Sequence, residues 1–204
     1  MADESWKIKR GVIRHYDRIA SIYNELYGHE QSQKIRKALL SLNFNPSEDI
    51  LDVGCGIGLL LKHMNGLACT FVGVDIARKP LEIAKKLIKS SIVNEAFLIR
   101  ADADFLPFRD GVFDKVFAIT LLQNMPNYIS ALNEMARVAK DDATIVVTGL
   151  KKTFSRKSFS ETLKKAGLDF TLLDDEEIKC YIAFCRKNLP QNINRGELEI
   201  IAGW

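Results

Sequence analysis

The sequence predicts an α/β fold in which a mostly parallel sheet is covered by helices on both faces. Two observations carry the prediction. Between about residues 43 and 187, short runs rich in Val, Ile and Phe alternate with helix-like segments, the order that builds a parallel sheet from crossover units. Those runs also lack apolar/polar alternation, as strands do when both of their faces are buried.

Ahead of this region, residues 14–23 and 31–42 read as two helices. Five parallel strands follow, over residues 50–53, 70–74, 97–99, 114–119 and 144–148. The segments between them are helical: 59–64, 80–89 with Pro80 in the first turn, and 128–139, where Ile129, Leu132, Met135 and Ala136 share a face. A helix at 158–166 stops at Gly167 and leads into two further strands, 170–173 and 178–185. Only Asp174, Asp175, Glu176 and Glu177 join these two, enough for an antiparallel hairpin and too little for a parallel crossover. No repeat or low-complexity stretch interrupts the chain, so one domain is expected over 1–204: an N-terminal helical segment at 1–45, the α/β core at 46–187 and an unassigned tail at 188–204.

A chain of 204 residues with 47% hydrophobic content supplies one core of ordinary size. Its longest apolar runs fall far short of the ~20 residues that cross a bilayer, and residues 1–7 place acids and a Trp where an export signal needs basic and then apolar residues. The expectation is a cytoplasmic protein with no membrane partner. Cys55, Cys69, Cys180 and Cys185 form no CxxC pair and read as reduced, buried thiols. No metal site is expected. A formal net charge of +3, from 29 basic against 26 acidic residues, neither demands nor excludes an anionic partner.

The chemistry concentrates in Asp52-Val53-Gly54-Cys55-Gly56-Ile57-Gly58, between the first strand and the helix after it. Glycines there permit positive φ and let a ligand approach the main chain with no Cβ in the way. A dinucleotide site would need its third glycine where this chain has Leu59. Asp52 also opposes that reading: a carboxylate about 5 Å from a pyrophosphate charge, at an effective dielectric near 20, costs about 3 kcal/mol. The same carboxylate favours a cationic ligand. Two more acids end the next strands: Asp75, about 20 residues past the first glycine, where ribose-binding acids sit, and Asp102, just after the third strand. All three fall at the carboxyl edge of the sheet, where open α/β folds bind ligands.

Four ordered segments carry a family resemblance. They are residues 51–58, Val72-Gly73-Val74-Asp75-Ile76, Ala101-Asp102-Ala103-Asp104-Phe105-Leu106-Pro107-Phe108 and Asp110-Gly111-Val112-Phe113-Asp114-Lys115-Val116. They resemble the successive signatures of class I S-adenosylmethionine-dependent methyltransferases, in the type 11 branch of quinone and metabolite enzymes, over about residues 14–186. The resemblance implies a Rossmann-like, doubly wound sheet of seven strands in the order 3-2-1-4-5-7-6, with an antiparallel last strand. It implies S-adenosylmethionine as cofactor, S-adenosylhomocysteine as product and no metal. On the same resemblance Gly54 and Gly56, with Cys55 and Gly58 in the same loop, pass under the methionine portion, and Asp52 holds its amino end. Asp75 takes the ribose hydroxyls, Ile76 packs on the adenine, Asp102 accepts from the adenine amino group and the backbone of Ala103 completes that edge. Residues 14–24 resemble a lid helix of this branch, which makes Tyr16 and Tyr23 candidates for the cofactor's carboxylate end, with plain packing as the alternative.

Methyl transfer is an in-line displacement promoted by holding donor and nucleophile in a near-attack arrangement. A general base is needed only where the acceptor must lose a proton, and no catalytic residue is assigned. The acceptor site is expected at residues 120–126, with Gln123 and Asn124 as candidates and capping or loop roles as the alternative. Gln123 stands where many relatives place a His. Relatives acting on nucleobase amino groups or glutamine amides carry an Asn/Asp-Pro-Pro-aromatic motif where this chain has Ile119 to Leu122, which disfavours those acceptors. The basic run at 151–157 keeps RNA open as a partner, behind a small-molecule acceptor. The third strand's edge at 97–99 is open to a strand from a small activator protein. Two other functions stay open: a non-catalytic S-adenosylmethionine-binding sensor or partner subunit, and an NAD-dependent oxidoreductase.

Overall fold

A computed structural model describes residues 2–64, 66, 69–89 and 95–188. Its strands are β1 (Asp49–Val53), β2 (Thr70–Asp75), β3 (Glu95–Arg100), β4 (Phe113–Ala118), β5 (Ala139–Leu150), β6 (Leu168–Asp174) and β7 (Cys180–Lys187). They form one sheet in the order β3-β2-β1-β4-β5-β7-β6. The pairs among β1 to β5 are parallel, and β7 runs antiparallel to both β5 and β6. The fold class is the one the sequence pattern predicts, and the strand order is the one the family resemblance implies.

Successive side chains on the central strands enter two different cores. Leu51, Val53, Val116, Ala118, Ile145 and Val147 pack with α5 (Tyr128–Val138) and α6 (Arg156–Lys165). Ile50, Phe117 and Val146, their neighbours in sequence, pack with α2 (Tyr23–Leu40) and α3 (Leu59–His63) on the opposite face. This is why the strands read as continuous apolar runs: each alternate residue has a helix layer to meet. Caps close the helices: the Asn127 side chain accepts from the backbone N–H of Ile129 and Ser130, and Ser155 accepts from that of Ser158.

The N-terminal segment departs from the expected boundaries. α1 (Ala2–Ile19) and α2 are joined by a 3₁₀ turn at Ala20–Ile22, so helix covers residues 24–30, which the sequence left unassigned. Gly28 lies buried inside α2 and does not end the helix. β5 is also longer than its Val-rich centre, because Ala139 pairs with Phe113 across an irregularity in the β4 register. α4 (Arg78–Ile88) completes the helices. The tail assignment at 188–204 lies outside the described residues from 189 onward. Among the described residues, no helix is long and apolar enough to cross a membrane, and Cys55, Cys69, Cys180 and Cys185 are buried and free.

Candidate functional site at the carboxyl edge of the sheet

Beyond β1 the chain winds one way to β2 and β3, and β4 lies on the other side, so a crevice opens at the carboxyl ends of β1 and β4. There the structure holds an open cavity, whose space counted out into the solvent at its mouth is about 1050 Å³. It gathers Asp52, Gly54, Cys55, Gly56, Asp75, Ile76, Asp102, Ala103, Tyr16, Tyr23 and Asn124 around one space. Gly58 and Gln123 stand outside it. Gly58 instead takes a φ of +84° as the N-cap of α3, and Gln123 turns back so that its Nε2 donates to the Thr120 carbonyl at 2.9 Å.

The floor is the β1–α3 turn. Gly54 has φ +78° and Gly56 φ +53°, values that L side chains resist. A Cβ on Gly54 would strike Leu121 Cδ1 at 2.9 Å, whereas the space beside Gly56 is open. The backbone N–H groups of Gly54 and Cys55 both donate to the Val74 carbonyl, at 2.7 and 2.9 Å, which locks the turn onto the end of β2. Gly56 N–H donates to Asp75 Oδ2 at 2.9 Å and Ala77 N–H to Oδ1 at 2.8 Å. Asp75 is therefore oriented by main chain, and each of its oxygens keeps a lone pair for another donor.

Asp52 is the outlier. It is 3% exposed, and nothing among the described residues donates to its side chain. Burial, and then the nearby charge of Asp75, push its carboxyl up to about 8. A buried carboxylate with no partner is costly and is retained where a ligand supplies the missing charge or donor. Burial likewise raises Asp75, against the pull of its backbone donors. Cationic or hydroxyl-rich ligands suit such a wall; a pyrophosphate does not.

Asp102 is held from above by a residue the sequence did not single out. Lys9, on the inner face of α1, donates to Asp102 Oδ2 at 2.6 Å and to Asp104 Oδ2 at 2.5 Å, and only 6% of it is exposed. Among the described residues, Asp104 Oδ1 is buried without a donor, so one lysine is shared by two carboxyl groups. The spacing Lys9, Val12, Tyr16, Ala20 would have marked the inner face of the helix, had it been taken to begin at Ala2.

The far wall lies beyond β4. Thr120 sits there at φ +63°, a strained conformation for a β-branched residue. Its backbone N–H donates to Thr148 Oγ1 at 2.7 Å, and its hydroxyl donates to Gln31 Oε1 at 2.9 Å and accepts from Lys34 Nζ at 3.2 Å. Gln31 Nε2 donates to the Tyr23 hydroxyl at 3.2 Å, and Asn124 Nδ2 donates to the Tyr16 hydroxyl at 3.0 Å and to the Thr120 carbonyl at 3.1 Å. Burial raises the pKa of both tyrosines, so they are neutral at physiological pH. The rest of this wall is apolar: Val12, Ala20, Ile35, Leu121 and Met125. No histidine lines the cavity, and among the described residues no three His, Cys, Asp or Glu side chains group as metal ligands. The basic run after β5 is partly spent, since Lys151 pairs with Asp174 at 2.9 Å.

A family model described as a methyltransferase domain matches residues 51–147. An uncharacterized protein of Methanocaldococcus jannaschii is 29% identical over 188 residues, covering 86% of this chain and 71% of its own. A demethylmenaquinone methyltransferase of Staphylococcus epidermidis is 33% identical, with 67% of this chain and 56% of that one aligned. A sterol 4-C-methyltransferase of Caenorhabditis elegans is 30% identical, with 70% and 48% aligned. The chain thus spans about half the length of these two methyltransferases. Among solved structures, a Synechocystis magnesium protoporphyrin IX methyltransferase with bound S-adenosylmethionine superposes with a TM-score of 0.75 at 16% identity, covering 88% of this chain and 97% of that one. The [4+2]-cyclase SpnF superposes with a TM-score of 0.75 at 16% identity, covering 86% and 95%. A Haloferax volcanii methyltransferase complexed with the activator Trm112 gives 0.69 at 14% identity, covering 84% and 97%. At such identities the superpositions speak for the fold alone.

Proposed function

We propose that the chain is a class I S-adenosylmethionine-dependent methyltransferase that methylates an apolar small molecule at this cavity. The observation that carries the cofactor reading is Asp52, a buried carboxyl lining the cavity with no cation paired to it among the described residues. The residues fit the group: the space beside Gly56 is open, so a ligand could lie against the main chain there, Asp52 would meet the amino end, and Asp75 keeps free lone pairs for a ribose diol. Ile76 and Ala103 line the cavity where the adenine would lie, with Asp102 among the lining residues and bonded to Lys9. S-adenosylmethionine supplies an electrophilic methyl on a sulfonium. The chain's part is to orient the acceptor in line and exclude water, for which Leu121, Met125 and Ile35 give an apolar wall and Asn124 one polar handle. The names of the sterol and menaquinone relatives support an apolar acceptor. The free edge of β3, beyond β2, is where a small activator would pair.

Calorimetry with S-adenosylhomocysteine and, separately, NAD tests the cofactor. Binding of the first alone, weakened at least about tenfold by Asp75→Ala, is expected; a hydrogen-bonded charged partner contributes ~1.5–3 kcal/mol. NAD binding would return the site to a dinucleotide. Transfer of labelled methyl to a lipid-soluble phenol or quinol then separates catalysis from binding without turnover: no transfer to any apolar acceptor, with intact cofactor affinity, would favour the sensor reading.

A further inference from the structure

The outer face of α1 has no role in the cavity. Lys9, Val12 and Tyr16 point inward, while Lys7, Arg10, Arg14 and Arg18 are all exposed and recur at the three- and four-residue spacing that puts them on one stripe. None of the four makes an ion pair or side-chain hydrogen bond with any described residue. Among the described residues, Glu4 of α1 forms no ion pair with them, and Asp17 accepts from the backbone N–H of Lys79 at 2.8 Å. Large apolar side chains stand exposed on α1 itself and along the turn into α2. Trp6 and Ile8 are 45% and 46% exposed on α1, and Ile22, Leu26 and Tyr27 are 44%, 53% and 41% exposed around Tyr23, which lines the cavity.

We infer that α1 and the turn into α2 form a docking surface for an anionic phospholipid membrane. Four unpaired cations on one helix face complement acidic headgroups, and the flanking Trp and aliphatic side chains suit the headgroup–acyl boundary. Those aliphatic groups are what favour lipid over RNA, to whose phosphates and bases they offer little. The surface lies on a bilayer and does not span it, so it is compatible with the lack of a spanning helix among the described residues. It deepens the proposed function, on whose apolar acceptor its purpose rests, because a lid helix seated on a membrane opens the cavity where such an acceptor dissolves.

The test is cosedimentation of the full chain with phosphatidylcholine vesicles, with or without phosphatidylglycerol. Binding is expected only to the anionic vesicles, released by salt. Arg10→Glu/Arg14→Glu is expected to weaken it at least about thirtyfold, from ~1 kcal/mol per basic residue. Lys152→Glu/Lys157→Glu, an equal charge change after β5, leaves it unchanged. Equal loss in both double variants, binding to neither vesicle, or RNA affinity that depends on Arg10 and Arg14 without vesicle binding would each overturn the inference. S-adenosylhomocysteine affinity, measured on the same proteins, stays unchanged in both variants; its absence from the parent protein would count against the cofactor reading alone.

Discussion

Asp52 shows how a single residue can be unfavourable for the fold and useful for the site. Its carboxyl sits near 8 in the folded protein because burial and Asp75 oppose its charge. In the unfolded chain a carboxyl titrates near about 4, so between the two values the folded state holds a proton that the unfolded state has lost. Stability therefore falls as pH rises through that window. A cationic ligand needs the ionised form, so its affinity should climb toward pH 8, at most about tenfold per unit, until the ligand's own ammonium deprotonates near about 8. Asp52→Asn should remove both trends: the ligand-free variant melts above the parent protein at about pH 8, while S-adenosylhomocysteine binds it more weakly. Melting curves over that range check this, and a parent protein that gains stability toward alkaline pH relative to the variant would refute it. The motif around Asp52 was legible in the sequence. That no donor meets its side chain was not, because that depends on what the neighbouring turn leaves empty.

Among the elements, α1 is tied to the rest of the molecule through a few long-range side-chain contacts. Lys9 reaches Asp102 and Asp104 across 93 and 95 residues of sequence, and Asp17 caps the first turn of α4 through Lys79. Breaking a buried ion cluster by removing one partner costs about 3–5 kcal/mol, and here the loss falls on a peripheral helix that can lift away. Lys9→Met is expected to abolish hydrogen-exchange protection in α1, leave β4 and β5 protected, and speed S-adenosylhomocysteine dissociation. Undiminished protection in α1 would show that packing on α4, not Lys9, holds it. The sequence located helices at the N-terminus but began the first at residue 14, and that shortening hid both Lys9 and the basic stripe. Thr120 was equally hidden: nothing in Ile119-Thr120-Leu121 signals a positive φ, which the hydrogen bonds to Thr148 and Gln31 impose.

At the scale of the molecule, one sheet shares its two faces between two cores. Phe117 is wholly buried on the α2–α3 side and Phe159 on the α5–α6 side, with the Phe159 ring 2.6 Å from where a Cβ of Gly149 would stand. Because β4 and β5 contribute to both, loss of either core should unfold both together. Phe117→Ala and Phe159→Ala are each expected to lower stability by about 3–5 kcal/mol and to keep one transition, coincident by circular dichroism and fluorescence. Two separated transitions would divide the chain into independent units. Element order, two-sided burial of the strands, the glycine turn and the strand-end position of Asp52, Asp75 and Asp102 were all determined by the sequence, since each depends on local periodicity and on which residues tolerate a turn. The tertiary structure alone decided that Lys9 meets Asp102, that Asn124 enters the cavity while Gln123 turns away, and that Asp52 is left unpaired among the described residues. Those outcomes follow from how the helices seat against the sheet, and contacts between residues far apart in sequence leave no period in the chain to read.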